Sequence, residues 1–352
     1  MIMRSFTKKF VLCAVVFGLM TVFVHGSPSV AQGAEKVSLT LLGAKLGSDA
    51  YNFSQALGDI VTKNNPSIRV SVLESMGSAD NIKTMADLAP AEAKQHLASA
   101  IDGLLSAALR GQGPFKKKGA ITDWRVLCTL YTANPHFMTL DPKIKNPKKD
   151  LVGKRIGLLP KGHGLSKDAL FYLDSCWGIL DKVKVINMPM AMSKDALLDG
   201  TVDVICSGGM FFSPNEFKTS PFNEAILAAK KNVYFIGIDE EDYKAGMAKV
   251  PHAARTWAPV KANAVRPGYP NRDWGILRVG MTWWTWKNMD DKVAYELVKT
   301  TAENTEKFKG YFAAGKAAQL ETFTANVWSA KRYHPGALKY YEEKGIATKG
   351  TL

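Results

Sequence analysis

The amino-terminal third of the chain is built from a repeated unit: an apolar strand, a loop of small residues and a helix. Residues 37–42 form the first strand, and the loop 43–48 leads into a helix that continues to about residue 62. The strand 68–73 and the loop 74–78 open a second unit with the same order. When a helix connects each strand to the next, the strands usually run parallel, so this order predicts a parallel sheet with helices packed on its faces.

A second set of these units follows a lysine-rich stretch. The strand 155–159 leads through the loop 161–164 into a helix over 165–177. Further strands are predicted at 183–187, 202–206 and 233–236. The sequence therefore predicts an α/β protein with two lobes of similar construction.

The remaining segments are less regular. Residues 91–110 predict two short helices, and residues 250–271, which are interrupted by glycine and proline, predict a long loop. Two separate strands are expected at 124–131 and 136–140, because Ala133-Asn134-Pro135 would break a continuous strand.

The composition is that of an ordinary globular protein. The 352 residues are 46% hydrophobic and 22% charged, which excludes a disordered or collagen-like chain and suggests about two domains. The formal net charge is +14. The lysines are scattered, however, and the dense runs at 116–118 and 143–155 are typical of solvated loops, so nucleic acid is not an expected partner. A positive cleft would instead concentrate a small anionic ligand.

The first 31 residues have the three-part layout of a signal peptide. Arg4, Lys8 and Lys9 precede an apolar run over 10–24, and small residues around Ala31 offer a cleavage site. The apolar run is about 15 residues long, shorter than the ~20 residues that a membrane-spanning helix needs, although an uncleaved anchor is the alternative. The prediction is an exported, periplasmic protein that is cleaved near Ala31.

Three cysteines follow that segment: Cys128, Cys176 and Cys206. An odd number allows at most one disulfide, and the sequence does not indicate which two, if any, would pair. The cysteines and histidines lack the spacing of a zinc site, and the chain has neither a phosphate-binding loop nor the nucleophile elbow of a hydrolase. We therefore expect no cofactor, no metal and no catalytic residue.

Three loops place small residues between a strand and the start of a helix: Gly47-Ser48-Asp49, Gly77-Ser78 and Gly162-His163-Gly164. The start of a helix carries unpaired backbone N–H groups and partial positive charge, so such loops bind anions. In open α/β sheets the ligand lies at the carboxyl ends of the strands. Each loop alone is also explained by ordinary capping and turns, but the three together predict an anion-binding cleft.

Seven motifs, in this order, resemble the TAXI-type solute receptors of tripartite ATP-independent periplasmic (TRAP) transporters. They are GSDAYNFSQAL (47–57), SMGSADNI (75–82), RGQGPF (110–115), WRVLCTLY (124–131), DLVGKRIGLLPKGHG (150–164), LLDGTVDVICSGG (197–209) and HPGALKYYEEKG (334–345). The resemblance covers nearly the whole chain after the predicted cleavage site.

This resemblance implies a two-lobed periplasmic-binding-protein fold, similar to type II, that closes about a hinge over a central cleft. One lobe would hold residues 35–132 and 239–352, and the other would hold 136–236, with hinge crossings at 133–135 and 237–238. A receptor of this kind would act as a monomer. It would capture a small carboxylate or amino acid, such as glutamate or 2-oxoglutarate, and deliver it to the TRAP membrane subunits.

The resemblance also suggests the ligand contacts. Tyr51 would supply an aromatic wall, the glycines backbone donors and Asn81 a side-chain amide. Asp49, Met76 and His163 depart from the family pattern. Asp49 either caps its helix or faces the cleft, where it would favour a ligand that carries an ammonium group. The full set of expected contacts is Gly47, Ser48, Asp49, Tyr51, Met76, Gly77, Ser78, Asn81, Tyr131, Lys161, Gly162, His163, Gly164 and Gly209.

Two alternatives stay open. The same fold serves as the binding component of ATP-driven importers and of sensor systems, which the sequence does not separate from a TRAP receptor. A periplasmic enzyme is the rival from a different class, and it is disfavoured because no nucleophile–base pair is evident.

Overall fold

The computed structural model describes residues 36–160, 163–230, 232–250 and 252–352. The predicted signal peptide, Lys161 and Gly162 lie outside the described residues. Within the described ranges, no helix is long and apolar enough to cross a membrane. The strands are β1 (Val37–Leu42), β2 (Ile68–Leu73), β3 (His96–Ile101), β4 (Trp124–Thr139), β5 (Arg155–Leu158), β6 (Lys184–Asn187), β7 (Val204–Ser213), β8 (Glu216–Thr219), β9 (Tyr234–Ile236), β10 (Thr256–Val260) and β11 (Trp274–Trp286). The helices are α1 (Asp49–Asn64), α2 (Ser78–Asp87), α3 (Pro90–Ala93), α4 (Asp102–Leu109), α5 (Pro147–Asp150), α6 (Gly164–Leu170), α7 (Met190–Leu198), α8 (Pro221–Ala229), α9 (Glu240–Lys249), α10 (Asp291–Ala302), α11 (Thr305–Phe308) and α12 (Pro335–Glu343).

The strands form one mixed sheet in the order β2-β1-β3-β11-β4-β7-β5-β6, and β8, β9 and β10 pair with β7, β4 and β11. β1 is parallel to β2 and β3, whereas β5 is parallel to β6 and β7. Helices connect the parallel strands in both groups. The prediction of a two-lobed α/β fold is confirmed.

β4 and β11 are the long strands that both halves of the sheet share. In the first half, Met281 of β11 lies opposite Ile101 of β3 on one side and Tyr131 of β4 on the other. In the second half, β4 continues beside β7, with Ala133 opposite Met210. The two strands therefore cross between the halves next to residues 131–134 and 278–280, which we call the crossing.

Buried apolar side chains form separate cores in the two halves. The core of the first half draws mainly on residues 39–131 and 281–341. The second half has two clusters, which take alternate residues of the same strands and so lie on opposite faces of the sheet. Both draw on residues 137–277. Ile238, Val260 and Leu277 thus pack with the second half, whereas Ala254 belongs to the core of the first half. The prediction from the sequence placed all of 239–352 in the first lobe.

Two segments form strands that were not predicted from the sequence. Two short helices were expected over 91–110, but His96–Ile101 within this range forms β3 in the middle of the first half. Its four central residues, 97–100, are all buried, so the segment lacks the polar alternation that marks a half-exposed strand. Thr256–Val260 forms β10 inside the predicted loop, because it can pair with β11.

β4 is one continuous strand, although a break at Pro135 was expected. Pro135 lies opposite Gly208 of β7 and lacks a backbone N–H, so the ladder loses a donor there. The side chain of Asn134 adds two bonds beside it: Oδ1 accepts from the N–H of Phe211 at 2.8 Å, and Nδ2 donates to the carbonyl of Leu277 at 3.2 Å. Asn134 therefore joins β4 to both neighbouring strands at the crossing.

Candidate functional site

The carboxyl ends of the parallel strands in both halves are directed at the crossing. β1, β2 and β3 are parallel and end at the same edge of the first half. β4 leaves the first half at this edge, since Ile101 at the end of β3 and Tyr131 of β4 both lie opposite Met281. In the second half, β7 runs antiparallel to residues 133–139 of β4 and therefore ends beside the crossing. β5 and β6 run in the same direction as β7, so their carboxyl ends also point towards the crossing. The helices α1, α2, α4, α6 and α7 begin at these two edges.

The first loop is ordered by a helix cap. Gly47 has φ 79°, a left-handed conformation that suits glycine, and the Oγ of Ser48 accepts from the N–H of Tyr51 at 3.3 Å. Asp49 is exposed at the edge, yet the surrounding protein desolvates its carboxyl and raises its pKa, while the charge of Lys218 opposes that shift. Because Lys218 belongs to β8, the first loop lies beside the second half of the protein.

The second loop is tied to the end of β3. Gly77 has φ 105° and precedes α2, and the Oγ of Ser78 accepts from the backbone N–H of Ile101 at 3.1 Å. Met76 is 70% exposed, so its side chain is free of the core. The start of α2 is thus fixed at the carboxyl edge of the first half.

Asn81 has a structural role that the sequence did not suggest. The side chain is fully buried, and its Nδ2 lies within hydrogen-bonding distance of the carbonyl oxygens of Leu42 (3.2 Å), Gly43 (2.8 Å) and Ser99 (2.8 Å). The amide therefore joins the ends of β1 and β3 and is not available as a donor to a ligand.

Gly164 of the third loop lies beside Ile101 of β3, which Ser78 of the second loop also contacts. The Nδ1 of His163 accepts from the N–H of Leu165 at 3.2 Å and caps α6, and desolvation lowers the pKa of this histidine. A Cβ at Gly164 would lie 4.0 Å from the Cδ1 of Ile101. Gly164 belongs to the second half and Ile101 to the first, so Ser78 and Gly164 approach Ile101 from different halves.

Tyr131 and Gly209 are both explained by packing. Tyr131 is buried and stacks on Phe53 with ring centroids 4.5 Å apart, and burial, with a smaller contribution from the charge of Asp49, raises its pKa. A Cβ at Gly209 would lie 2.5 Å from the ring of Phe217, so the pairing of β7 with β8 requires glycine there.

Arg278, at the crossing, was not among the ligand contacts predicted from the sequence. Its guanidinium carbon lies 4.8 Å from the centre of the Phe211 ring, and its buried Nε has no hydrogen-bond partner among the described residues. Burial lowers the pKa of Arg278 to about 10. A signal was present in the sequence, because Arg278 is the one charged residue of the apolar strand Trp274–Trp286.

The residues that the structure describes contain neither a metal site nor an accessible cysteine thiol. No cluster of histidine, cysteine, aspartate and glutamate could hold a metal ion there. Cys128, Cys176 and Cys206 are buried and free. Burial raises the pKa of all three thiols, which makes them poor nucleophiles.

A cavity of about 700 Å³ lies away from the crossing. Val37, Asn65 and Ser67 line it at the beginning of β1, and Lys94 and Glu296 line its other walls. It is therefore at the opposite edge of the first half from the three loops, and none of the predicted contact residues lines it.

A family model described as the NMT1-like family matches residues 41–345. That range contains the three loops, both crossing strands and most of both cores. The chain belongs to the NMT1-like family. This NMT1-like chain has 15% identity to a TctC solute binding protein from Polaromonas, over 76% of this chain and 83% of that one, with a TM-score of 0.47.

Two other solved structures are similar to the NMT1-like chain over most of its length. The periplasmic aliphatic sulphonate binding protein SsuA from Escherichia coli has 13% identity over 89% of this chain and 94% of its own, with a TM-score of 0.46. MatC from Rhodopseudomonas palustris, solved with bound malate, has 11% identity over 88% of this chain and 96% of its own, with a TM-score of 0.45.

Proposed function

We propose that this protein is an extracytoplasmic receptor that binds a small solute between the facing strand ends of its two halves. The observation that carries the proposal is the approach of Ser78 and Gly164 to Ile101 from different halves. Ligands of open α/β sheets lie at the carboxyl ends of strands. Two such edges that face each other can enclose a solute from both sides.

The crossing would act as the hinge for closure. β4 and β11 are the strands that run through both halves, and the cores on either side of them are separate. We place the hinge near residues 131–134 and 278–280, since Trp274, Ile276 and Leu277 of β11 pack with the second half. Closure about such strands shifts the population toward the state that binds the solute more tightly.

The ligand class that we propose is a small organic anion, a carboxylate or an amino acid such as glutamate or 2-oxoglutarate. The starts of α1, α2 and α6 offer backbone N–H groups at the facing edges. Lys218 and Arg278 add positive charge, and the net charge of +14 favours the approach of an anion. Asp49 carries the opposite charge, which would suit the ammonium group of an amino acid.

The partner that we propose is a TRAP membrane permease, on the basis of the seven motifs, with the receptor acting as a periplasmic monomer. A role in an ATP-driven importer or a sensor system is the alternative. An enzyme is not proposed, because the Nδ1 of His163 is engaged in a helix cap and the thiols are buried and have raised pKa values.

A thermal-shift and calorimetry screen tests the receptor function. The panel contains dicarboxylates, amino acids, sulfonates and uncharged sugars, added to the wild-type protein, Ser78→Trp and Ser71→Trp. Ser71 is an exposed residue of β2 and is the matched control. A solute that binds only the folded protein stabilises it by about 2.7 kcal/mol at 100 times its Kd.

We expect an organic anion to stabilise the wild-type protein and Ser71→Trp. The melting temperature of Ser78→Trp, which is lowered by the loss of the bond to Ile101, should be the same with and without the anion. Equal stabilisation of Ser78→Trp would place the solute elsewhere. A panel in which only sugars bind would contradict the ligand class, and a panel in which nothing binds would contradict the receptor function.

A further inference from the structure

The guanidinium of Arg278, which is partly buried, has no hydrogen-bond or ion-pair partner among the residues that the structure describes. Its Nε is buried without a hydrogen bond, and Arg278 forms no ion pair with any residue of the part of the chain that the structure describes. Placing an unpaired charge away from water is unfavourable. The contact with the ring of Phe211 offsets only part of that cost.

Arg255 shows how the same chain satisfies a second, comparably placed arginine. Its guanidinium lies 4.4 Å from the centre of the Phe171 ring and also forms an ion pair of 2.6 Å with the carboxylate of Asp168. The two arginines therefore share the aromatic contact, and only Arg278 lacks the carboxylate.

Arg278 lies where the two facing edges meet. It is three residues before Met281, which is opposite Ile101 at the end of β3. Phe211, under its guanidinium, follows Met210 near the end of β7, and the N–H of Phe211 is held by Asn134. The missing counter-charge is thus expected in the space where the proposed receptor would enclose its solute.

We infer that Arg278 anchors the anionic group of the bound solute, with Phe211 positioning the guanidinium. This inference rests on the proposed receptor function and names Arg278 as the residue that makes the receptor specific for an anionic solute. A carboxylate is the matching chemistry, because two of its oxygens can accept two parallel N–H bonds from one guanidinium. The other cations near the edges are less suited: Lys316 is paired with Glu216, and Lys218 interacts with Asp49.

The test uses the full-length mature protein and three methionine substitutions, which keep an apolar stem and remove the charge. They are Arg278→Met, Arg255→Met, and Arg69→Met on an exposed position of β2 as the control. The first measurement is the melting temperature without any added solute. Arg278→Met should melt at or above the wild-type temperature, whereas Arg255→Met should melt lower because Asp168 is left buried and unpaired.

The second measurement is the affinity for the dicarboxylate or amino acid that stabilises the wild-type protein most, together with an analogue whose carboxylates are amidated. Arg278→Met should lose at least about 30-fold in affinity for the anion, as expected when a buried charged contact is removed. It should bind the amidated analogue as the wild-type protein does, Arg278→Lys should retain part of the anion affinity, and Arg69→Met should match the wild-type protein throughout.

The other outcomes overturn the inference in distinguishable ways. If Arg278→Met melts several degrees lower, Arg278 is a structural residue. If Arg278→Met binds the anion as the wild-type protein does, or if the wild-type protein binds only uncharged or cationic solutes, the anchor is wrong and the receptor function stands. If the wild-type protein binds no solute of the panel, the receptor function fails and the anchor fails with it.

Discussion

Asp102 is a carboxyl group whose ionisation the fold opposes. It is the first residue of α4 and is fully buried. Its Oδ1 accepts from the Oγ of Thr282 at 2.7 Å and from the Nε1 of Trp328 at 2.8 Å, while its Oδ2 has no partner among the described residues. Desolvation raises the pKa of Asp102 from 3.8 to about 7, against the smaller effect of these hydrogen bonds.

This pKa predicts the pH dependence of an Asp102→Asn variant. Because the folded pKa lies above the unfolded one, Asp102 favours the folded state below pH 4, and this contribution is lost as the pH rises to about 7. The free energy of unfolding of Asp102→Asn, relative to the wild-type protein, should therefore increase by about 4 kcal/mol from pH 4 to pH 8. Urea unfolding at five pH values measures this difference.

The buried His136 does not disturb that comparison. Burial lowers the pKa of His136 to about 4, so its effect on stability has the opposite sign, but it is the same in both proteins and cancels in the difference. A difference between the two proteins that stays constant from pH 4 to pH 8 would contradict the proposed titration of Asp102.

At the scale of the elements, one side chain holds together the strand ends that form the first edge. Asn81 of α2 bonds to the carbonyls at the end of β1 and to Ser99 of β3. Asn81→Ala removes these bonds and leaves buried carbonyls unpaired, so the free energy of unfolding should fall by about 2–3 kcal/mol. Urea unfolding measures the loss, with the exposed turn residue Asn215→Ala as a control that should change by less than about 0.5 kcal/mol. If Asn81→Ala unfolds like the wild-type protein and loses only solute affinity, Asn81 is a ligand contact instead.

The order of the elements could be predicted where the signal is local. The strand–loop–helix order of residues 37–62 is confirmed, with β1 followed by α1, and Ser48 caps α1. β3 could not be predicted in this way, because its strand conformation depends on pairing with β1 and with β11, about 180 residues away. A short segment of small, buried residues has no helical or strand periodicity of its own.

The positions of the candidate loops could be predicted from the sequence, but the hydrogen bonds of their side chains could not. The loops at Gly47, Gly77 and Gly164 do lie at strand ends, since the strand–loop–helix order alone requires this. Whether a polar atom is free depends on which carbonyl the fold brings to it. This is why the amide of Asn81 was predicted as a ligand contact, and why Arg278 was not selected.

At the scale of the whole molecule, the two halves are held by the crossing strands, by a few apolar side chains such as Met210 and Ala254 that enter the core of the first half, and by polar contacts. Lys316 and Glu216 form an exposed ion pair of 2.6 Å between the halves, and the Oγ of Ser106 donates to the carbonyl of His252 at 2.9 Å. Exposed pairs contribute about 0–1 kcal/mol each. Contacts of this strength can open and re-form, which a receptor that closes over a solute requires.

The proposed receptor function requires that one solute is bound by the facing edges of both halves. Hydrogen exchange, followed by mass spectrometry with and without the anion that stabilises the protein most, tests it directly. We expect the solute to slow exchange in 47–52, 77–82 and 164–168 together, because backbone N–H groups at the starts of α1, α2 and α6 acquire a partner. Slowing confined to one half, or to the cavity lined by Asn65 and Lys94, would contradict it.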